Sequence, residues 1–179
     1  MDLHTLAIPT YVNMLKGLSA QLSKGEAFAA ENSLAPADLI DARLAPDMFP
    51  LSTQVRFVCN QASDLLRHLT GADSFAPAED ATDFEGLRAQ LADAVARLEA
   101  APAAAIDGAA GKTLELKMPN GIVFDMTGEQ FVRDWSLSQL YFHLMAAYAI
   151  LRNKGVPLGK PDWVPHMFAY IRPGTLPGG

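Results

Sequence analysis

The sequence has one cysteine, little positive charge and no long apolar run, and each scarcity excludes a class of protein. Cys59 has no second cysteine with which to form an intramolecular disulfide, so the chain is not a disulfide-rich secreted scaffold. It carries 14 basic and 20 acidic residues, for a net charge of −6. Nucleic acid is bound through clustered lysine and arginine side chains. The charge balance therefore argues against a nucleic-acid partner.

A membrane protein is not expected either. No stretch reaches the roughly 18 uninterrupted apolar residues that mark a transmembrane helix. The N-terminal stretch MDLHTLAIPTYVNML lacks the basic segment and the apolar run of a signal peptide. Together with the lone cysteine, these features predict a cytoplasmic protein that does not bind a membrane.

The signatures of several enzyme classes are missing as well. The chain has no glycine-rich phosphate loop, no Cys-x-x-Cys pair and no local Ser-His-Asp signature. GVPLGK, residues 155–160, follows a predicted helix rather than a strand and lacks the spacing of a phosphate loop. No motif of the sequence therefore identifies a reaction.

Four segments instead repeat apolar residues every three or four positions, which is the period of an amphipathic helix. The four stripes are Ile8, Tyr11, Leu15, Leu18 and Leu22; Leu51, Val55, Val58, Ala62, Leu65 and Leu69; Phe84, Leu87, Leu91, Val95 and Leu98; and Leu137, Tyr141, Leu144, Tyr148 and Leu151. Prolines break the connection 24–50, which is predicted to be irregular. The Ala- and Pro-rich stretch 99–112 is predicted to be a loop.

Polar and glycine residues mark where the helices begin and end. The predicted caps are Asp47 for the second helix, Thr82 or Asp83 for the third, and Thr127 with Gln130 for the fourth, while Gly71 and Gly155 end the second and fourth. Four such helices can bury their apolar faces together in an all-α four-helix bundle. The long connections between the first and second helices and between the third and fourth predict a topology other than plain up-down-up-down.

Between the third and fourth helices the apolar period changes from helical to alternating. In KTLELKMPNGIVFDMTG, residues 112–128, apolar and polar side chains alternate, which predicts a β-hairpin. Pro119 has no N–H, so a two-residue turn at Asn120 and Gly121 would lose one hydrogen bond between the strands. A type I turn through Pro119 and Asn120, with Gly121 left-handed in a bulge, fits this sequence better.

Two segments, LAPDMFPLSTQV (44–55) and FHLMAAYAILRNKGVPLGKPDW (142–163), resemble an uncharacterised bacterial family related to the DinB-like superfamily, which includes YfiT-like proteins. The resemblance covers about residues 1–163 and leaves 164–179 as a Pro/Gly-rich C-terminal extension. It implies an up-down-down-up four-helix bundle, often dimeric, to which the sequence pattern adds the hairpin between the third and fourth helices. Members of the superfamily commonly hold a divalent metal through one histidine of the second helix and a His-x-x-x-His pair on the fourth. Some are thiol-dependent transferases.

The chain departs from that metal pattern. His143 has Ala147 four residues after it and Gln139 four residues before it, so the histidine pair is missing. His68 lies near the C-terminal end of the second helix, whereas the superfamily's ligand lies nearer the other end. We therefore predict no cofactor, with nickel or zinc at His143 as the alternative that the resemblance implies.

The candidate pocket residues are His143, Asp47, Gln54 and Tyr148. His143 is either a hydrogen-bonded core residue or part of a pocket. Asp47 is either a helix cap, a partner of Arg43, or a substrate or metal contact. Tyr148 is either core or pocket lining. The only thiol, Cys59, is mid-helix and is predicted to be a small buried hydrophobe rather than a nucleophile.

Two functions remain open. The first is a homodimeric protein that binds an unknown small molecule or is structural, without metal chemistry. A homodimer is expected because the fourth helix carries apolar residues on more than one face. The alternative is a metal-dependent transferase or hydrolase with a degenerate site near His143. Convergence of Asp47, Gln54 and Asn60 with His143 on a cavity would favour the enzyme; a His143 wrapped by apolar side chains would not.

Overall fold

The computed structural model describes residues 2–175, which are mostly helical. The four long helices are α1 (Leu3–Glu31), α3 (Leu51–Thr70), α4 (Phe84–Glu99) and α7 (Leu137–Asn153). The short elements are α2 (Ala37–Ile40), α5 (Ala103–Ala109), β1 (Thr113–Lys117), β2 (Val123–Thr127), α6 (Gly128–Gln130) and α8 (Lys160–Trp163). A π-helical turn (Phe131–Ser136) joins α6 to α7, and a 3-10 helix (Pro165–Tyr170) follows α8.

The long helices form a four-helix bundle around a single apolar core. α1 packs on α4 and α7, and α3 packs on the same two helices, so the order around the bundle is α1, α4, α3, α7. The first two long helices are therefore diagonal neighbours, joined by the long connection after α1. This confirms the predicted all-α four-helix bundle with a hairpin before the fourth long helix. Within residues 2–175, no helix is long and apolar enough to cross a membrane.

Most of the predicted stripes form the core, but the fourth stripe was partly wrong. Leu140, Leu144, Ala147 and Leu151 are buried, whereas Tyr141 is 40% exposed. The inward-facing line of α7 therefore includes Leu140 and Ala147, each one residue before a tyrosine of the predicted stripe, while Leu144 and Leu151 belong to both lines. As a result, Tyr141 and Tyr148 lie at the margin of the core rather than at its centre.

The first helix is longer than predicted and continues to Glu31. It passes through Gly25, where an added Cβ would lie 3.1 Å from the Leu151 side chain on α7. Glycine here lets the two helices approach closely, and the buried Ala29 continues the apolar contact beyond it. The helix therefore persists because of tertiary packing that local propensity does not reveal.

The stretch 99–112, predicted to be a loop, contains the helix α5. Ile106 and Ala109 are buried and anchor this short helix to the core. Alanine has a high helix propensity, and the alanines between Pro102 and the hairpin therefore form this helix.

The hairpin has the predicted turn. Met118 accepts a hydrogen bond from the N–H of Gly121 at 2.9 Å, and its own N–H donates to Ile122 at 2.8 Å. Gly121 has a φ of +87°, as the left-handed bulge position requires. The strands then pair antiparallel, with Lys117 opposite Val123 and Leu116 opposite Phe124.

Capping side chains begin two of the later elements as expected. Asp83 accepts a hydrogen bond from the Gly86 N–H at 2.7 Å at the start of α4. Thr127 and Gln130 form a reciprocal capping box at the start of α6. After α7, Gly155 has a φ of +96°, which fits its predicted place just past the helix end.

Candidate functional site

The first turns of α3 and the middle of α7 bring His143 against Gln54. The Nδ1 atom of His143 lies 2.9 Å from the Gln54 Oε1 atom. The Gln54 Nε2 atom in turn donates to the Phe49 carbonyl at 3.3 Å. Because the amide N–H₂ faces a carbonyl, Oε1 is the acceptor and Nδ1 of the neutral imidazole carries the proton. Gln54 is only 2% exposed, so this pair fixes the orientation of the ring from inside the bundle.

Aromatic rings surround the imidazole on its outer side. The Phe57 ring centroid lies 4.9 Å from that of His143, and the Phe142 ring meets it edge-on at 5.2 Å. Phe49 completes the cluster, with its ring 5.0 Å from Phe57 in a T-shaped contact. Met145 lies one helical turn from Phe142 on α7 and therefore on the same side of that helix. We call the five residues Phe49, Phe57, Phe142, His143 and Met145 the aromatic surface.

Burial lowers the pKa of His143 below its ordinary value of 6.5. The imidazole is therefore neutral near pH 7. Its Nε2 atom has no hydrogen-bond partner within residues 2–175 and is open to solvent. A neutral imidazole held in this way can accept a proton or a hydrogen bond at Nε2.

The other predicted site residues lie elsewhere. Asp47 is exposed in the connection before α3, and no hydrogen bond joins it to His143 or to Arg43 within the described chain. It does not cap α3, because Pro50 occupies the N-cap position and no side chain caps that helix end. The capping prediction for Asp47 was wrong because a cap must directly precede the first helical residue.

Tyr148 is half-buried and packs its ring against Trp163 at 5.7 Å in a T-shaped contact. Of the four candidate pocket residues, only His143 and Gln54 are in contact. Cys59 is buried as predicted, and burial raises the pKa of its thiol to about 12. A thiol in that environment is not a nucleophile near neutral pH.

Phe142 and Met145 were expected from the sequence to lie off the main apolar stripe of the fourth helix, at a surface that another subunit covers, but Phe49 and Phe57 were not identified. Phe57 lies off the apolar stripe of α3, and Phe142 is 60% exposed on α7. An aromatic side chain outside the buried stripe on each of two helices was the available signal. It became specific only when the fold placed α3 beside α7.

The donors around His143 do not fit a nickel or zinc ion. Between residues 2 and 175, no group of three His, Cys, Asp or Glu side chains is placed to hold a metal. Ala147 is fully buried where the second histidine of a His-x-x-x-His pair would be. Near the N-terminal end of α3, where the resemblance places a histidine, Gln54 offers only a neutral amide.

Four cavities of about 260, 310, 320 and 460 Å³ open on the described part of the molecule. His143 lines none of these four. The largest is a polar groove between α3 and β1, and the 320 Å³ cavity lies between α1 and the segment after α8. The surroundings of His143 are therefore a surface of aromatic rings.

Comparison with known proteins agrees with the observed fold. Residues 3–164 match the family model described as "Domain of unknown function (DUF1993)". The crystal structure of a DinB family member protein from Shewanella denitrificans is 35% identical and superposes with a TM-score of 0.81. The match covers 90% of this chain and 91% of that one. A comparison with curated proteins finds no match.

Proposed function

The chain belongs to the DUF1993 family, a family of unknown function related to DinB-like proteins, and from that premise we propose that it is a homodimeric, non-catalytic binding protein that works without a metal. In this proposal the aromatic surface is where two copies meet. The observation that carries it is the engagement of His143 by the Gln54 amide and two phenylalanine rings, with no further metal donor beside it among residues 2–175.

The exposure of the aromatic surface supports an interface. Phe49, Phe142 and Met145 are 56%, 60% and 49% exposed. Contiguous large apolar side chains at a surface usually mark an interaction site. Aromatic residues and methionine are also the side chains enriched at the centres of protein interfaces. A partner covering them would gain stability from apolar burial.

A second copy of the chain is the partner that fits this surface best. Phe142 and Met145 lie on one exposed face of a helix, and two such faces can pack across a two-fold axis as the same patch on both subunits. The nearby guanidinium of Arg56 is already engaged, since it pairs with Asp80 at 2.5 Å and lies over the Phe57 ring. Because Arg56 and Asp80 neutralise each other, this edge of the aromatic surface offers no free charge to a strongly acidic or basic partner.

One observation favours the alternative of an enzyme. The open Nε2 atom of a neutral, oriented imidazole is what a general base requires. A reaction also needs a second group to bind or polarise a substrate, however, and among the described residues no hydrogen bond joins Asp47 to the His143 side chain. The binding protein is therefore the better supported function.

Metal analysis tests the proposal directly. The protein, purified without an affinity tag, is dialysed against nickel or zinc and then against metal-free buffer. We expect well below one ion per chain, because His143 has no companion ligands. About one ion per chain, lost in His143→Ala and kept in His68→Ala, would overturn the proposal in favour of the metal-dependent alternative.

A further inference from the structure

The segment that follows the family match folds back onto the first helix. Pro165 packs on Gly17 of α1, where an added Cβ would lie 3.5 Å from the proline ring. Gln21, which is 2% exposed, donates its amide N–H to the Asp162 carbonyl at 2.9 Å. The Asp162 carboxylate also pairs with Lys24. Residues 162–165 are thus tied to α1 at several points, and the 3-10 helix Pro165–Tyr170 extends from that attachment.

A cavity of about 320 Å³ lies between this segment, the N-terminal half of α1 and the start of α7. Its principal lining residues are Asn13, Met14, Tyr141, Trp163, His166 and Tyr170. We call it the C-terminal cleft. Its volume is at the lower end of the range for small-molecule sites, roughly 300–1,000 Å³, so it suits a ligand of one or two rings.

The walls of the C-terminal cleft are aromatic, and one of the rings is held in place from behind. Trp163 meets Tyr148 in a T-shaped contact at 5.7 Å, which positions the indole at the edge of the cleft. Tyr141 is 40% exposed and Tyr170 is 78% exposed, so both rings have free faces. Free aromatic faces favour stacking with a planar aromatic molecule.

Two polar side chains that line the cleft, Asn13 and His166, lack hydrogen-bond partners within the described residues, whereas the Thr10 hydroxyl donates to the Leu6 carbonyl at 2.6 Å. The His166 Nδ1 atom is buried and has no hydrogen-bond partner within residues 2–175. The Asn13 side chain, which can both donate and accept, forms no hydrogen bond with any other residue in that range. No Asp, Glu, Lys or Arg lines the cleft. An anionic ligand would have to leave water without a compensating charge, which is unfavourable.

We propose that the C-terminal cleft binds a neutral, planar heteroaromatic molecule of one or two rings that carries a hydrogen-bond donor and an acceptor. The rings stack on Trp163 and Tyr141, while the polar edge faces Asn13 and the His166 Nδ1 atom. Trp163 lies at the end of the family match and His166 beyond it, so this chain's extension completes the site. The inference goes beyond the proposed function and depends neither on a homodimer nor on His143.

Tryptophan fluorescence tests this inference because the chain has only two tryptophans. Trp135→Phe leaves Trp163 as the only indole reporter. This variant is titrated with two matched pairs of probes, nicotinamide with nicotinate and adenosine with adenosine 5′-monophosphate. We expect saturable quenching by at least one neutral probe below about 1 mM, and binding of its anionic counterpart at least about tenfold weaker. Absence of quenching by both neutral probes, or equal binding of the charged counterpart, would overturn the inference.

Two pairs of variants in the Trp135→Phe background locate the binding. Asn13→Ala should weaken binding of the neutral probe by about tenfold, the scale of one hydrogen bond. Asn32→Ala, at the far end of α1, should leave it unchanged. Tyr170→Ala should weaken binding several-fold, whereas Phe168→Ala, on the same 3-10 helix but outside the lining, should not. Equal effects within each pair would place the probe elsewhere and reject the C-terminal cleft.

Discussion

The hydrogen bond between His143 and Gln54 decides what each residue contributes to stability. In His143→Phe the ring can still pack between Phe57 and Phe142, but the Gln54 Oε1 atom loses the donor that it has among residues 2–175 while remaining buried. We expect the free energy of unfolding to fall by about 1–2 kcal/mol, the cost of an unpaired buried acceptor. Urea unfolding measures the change, provided the slope with denaturant is the same in both proteins.

A double variant separates the hydrogen bond from the packing. Replacing both partners by apolar groups removes the unpaired acceptor, so His143→Phe with Gln54→Leu should recover most of the lost stability. A loss below about 0.5 kcal/mol in His143→Phe, the scale of an uninvolved surface change, would mean that the bond contributes little.

The histidines also predict how stability depends on pH. Burial lowers the pKa of His143 and of His68 below 6.5, and the positive charge of Arg67 lowers that of His68 further. Since the unfolded chain then binds protons more readily than the folded one, this part of the stability is fully present above pH 6.5. It is lost as the pH falls below 6.5 towards the lowered pKa values of the folded protein. The wild type should therefore unfold more easily at pH 5.5 than at pH 7.5.

The matched experiment compares urea unfolding of the wild type with that of a His143→Phe, His68→Gln variant at the two pH values. The variant should show a smaller decrease. Lys24 lowers the pKa of Asp162, but that contribution is lost only as the pH falls through the acid range below about 4, outside this window. An unchanged decrease in the variant would show that other groups cause it.

Among the elements, the junction of α5 and α6 brings two backbone segments close together at Gly128. The Gly128 N–H donates to the Lys112 carbonyl at 3.1 Å, and an added Cβ at Gly128 would lie only 2.3 Å from the Ala109 carbonyl oxygen. Backbone atoms cannot move aside as a flexible side chain can. Gly128→Ala should therefore cost at least about 2 kcal/mol in the free energy of unfolding.

Gly108 provides the control because it lies in α5 beside the same junction. An added Cβ there meets nothing within 4 Å. Gly108→Ala should be neutral or stabilising by about 0.5 kcal/mol through helix propensity. Chemical denaturation of the two variants compares them directly. Equal effects of the two substitutions would contradict the close contact.

Elements defined by local chemistry were predicted well from the sequence. The turn at Pro119 and Gly121 follows from the fixed φ of proline and the left-handed freedom of glycine. The capping box of Thr127 and Gln130 is likewise a property of four consecutive residues. Elements that depend on packing between distant parts of the chain were not predicted. The continuation of α1 through Gly25, for example, depends on Leu151, which is more than a hundred residues away in sequence.

In the candidate site, too, contacts between residues distant in sequence could not be predicted. His143 was identified as the histidine to examine, but its partner Gln54 is 89 residues away in sequence. That contact depends on α3 lying beside α7. Tyr148 was predicted to be either core or pocket lining, and its ring lies half-buried against Trp163, which comes from the segment after α7. The periodicity of one helix does not show which segments from elsewhere in the chain pack against it.

At the scale of the whole molecule, the fold and the side chains around His143 suggest different functions. The bundle superposes on a DinB family member with a TM-score of 0.81, and the resemblance associates that architecture with histidine-bound metal. In this chain Gln54 and Ala147 occupy positions where such ligands are expected. An amide that orients His143 from the interior, beside exposed phenylalanines, suits recognition of another surface better than metal chemistry. The expected assembly follows from that difference.

We expect light scattering at micromolar concentration to give twice the mass of the chain. Phe142 and Met145 are 60% and 49% exposed, and a homodimer would bury both. Replacing both by serine should produce a folded monomer, because neither side chain contributes to the core of its own subunit. Ile122→Ser with Phe124→Ser is the matched control on the hairpin, where the exposures are 50% and 44%. A wild-type monomer, or dissociation caused by the hairpin variant instead, would reject the aromatic surface as the interface, since burial of apolar area stabilises a dimer only where the copies touch.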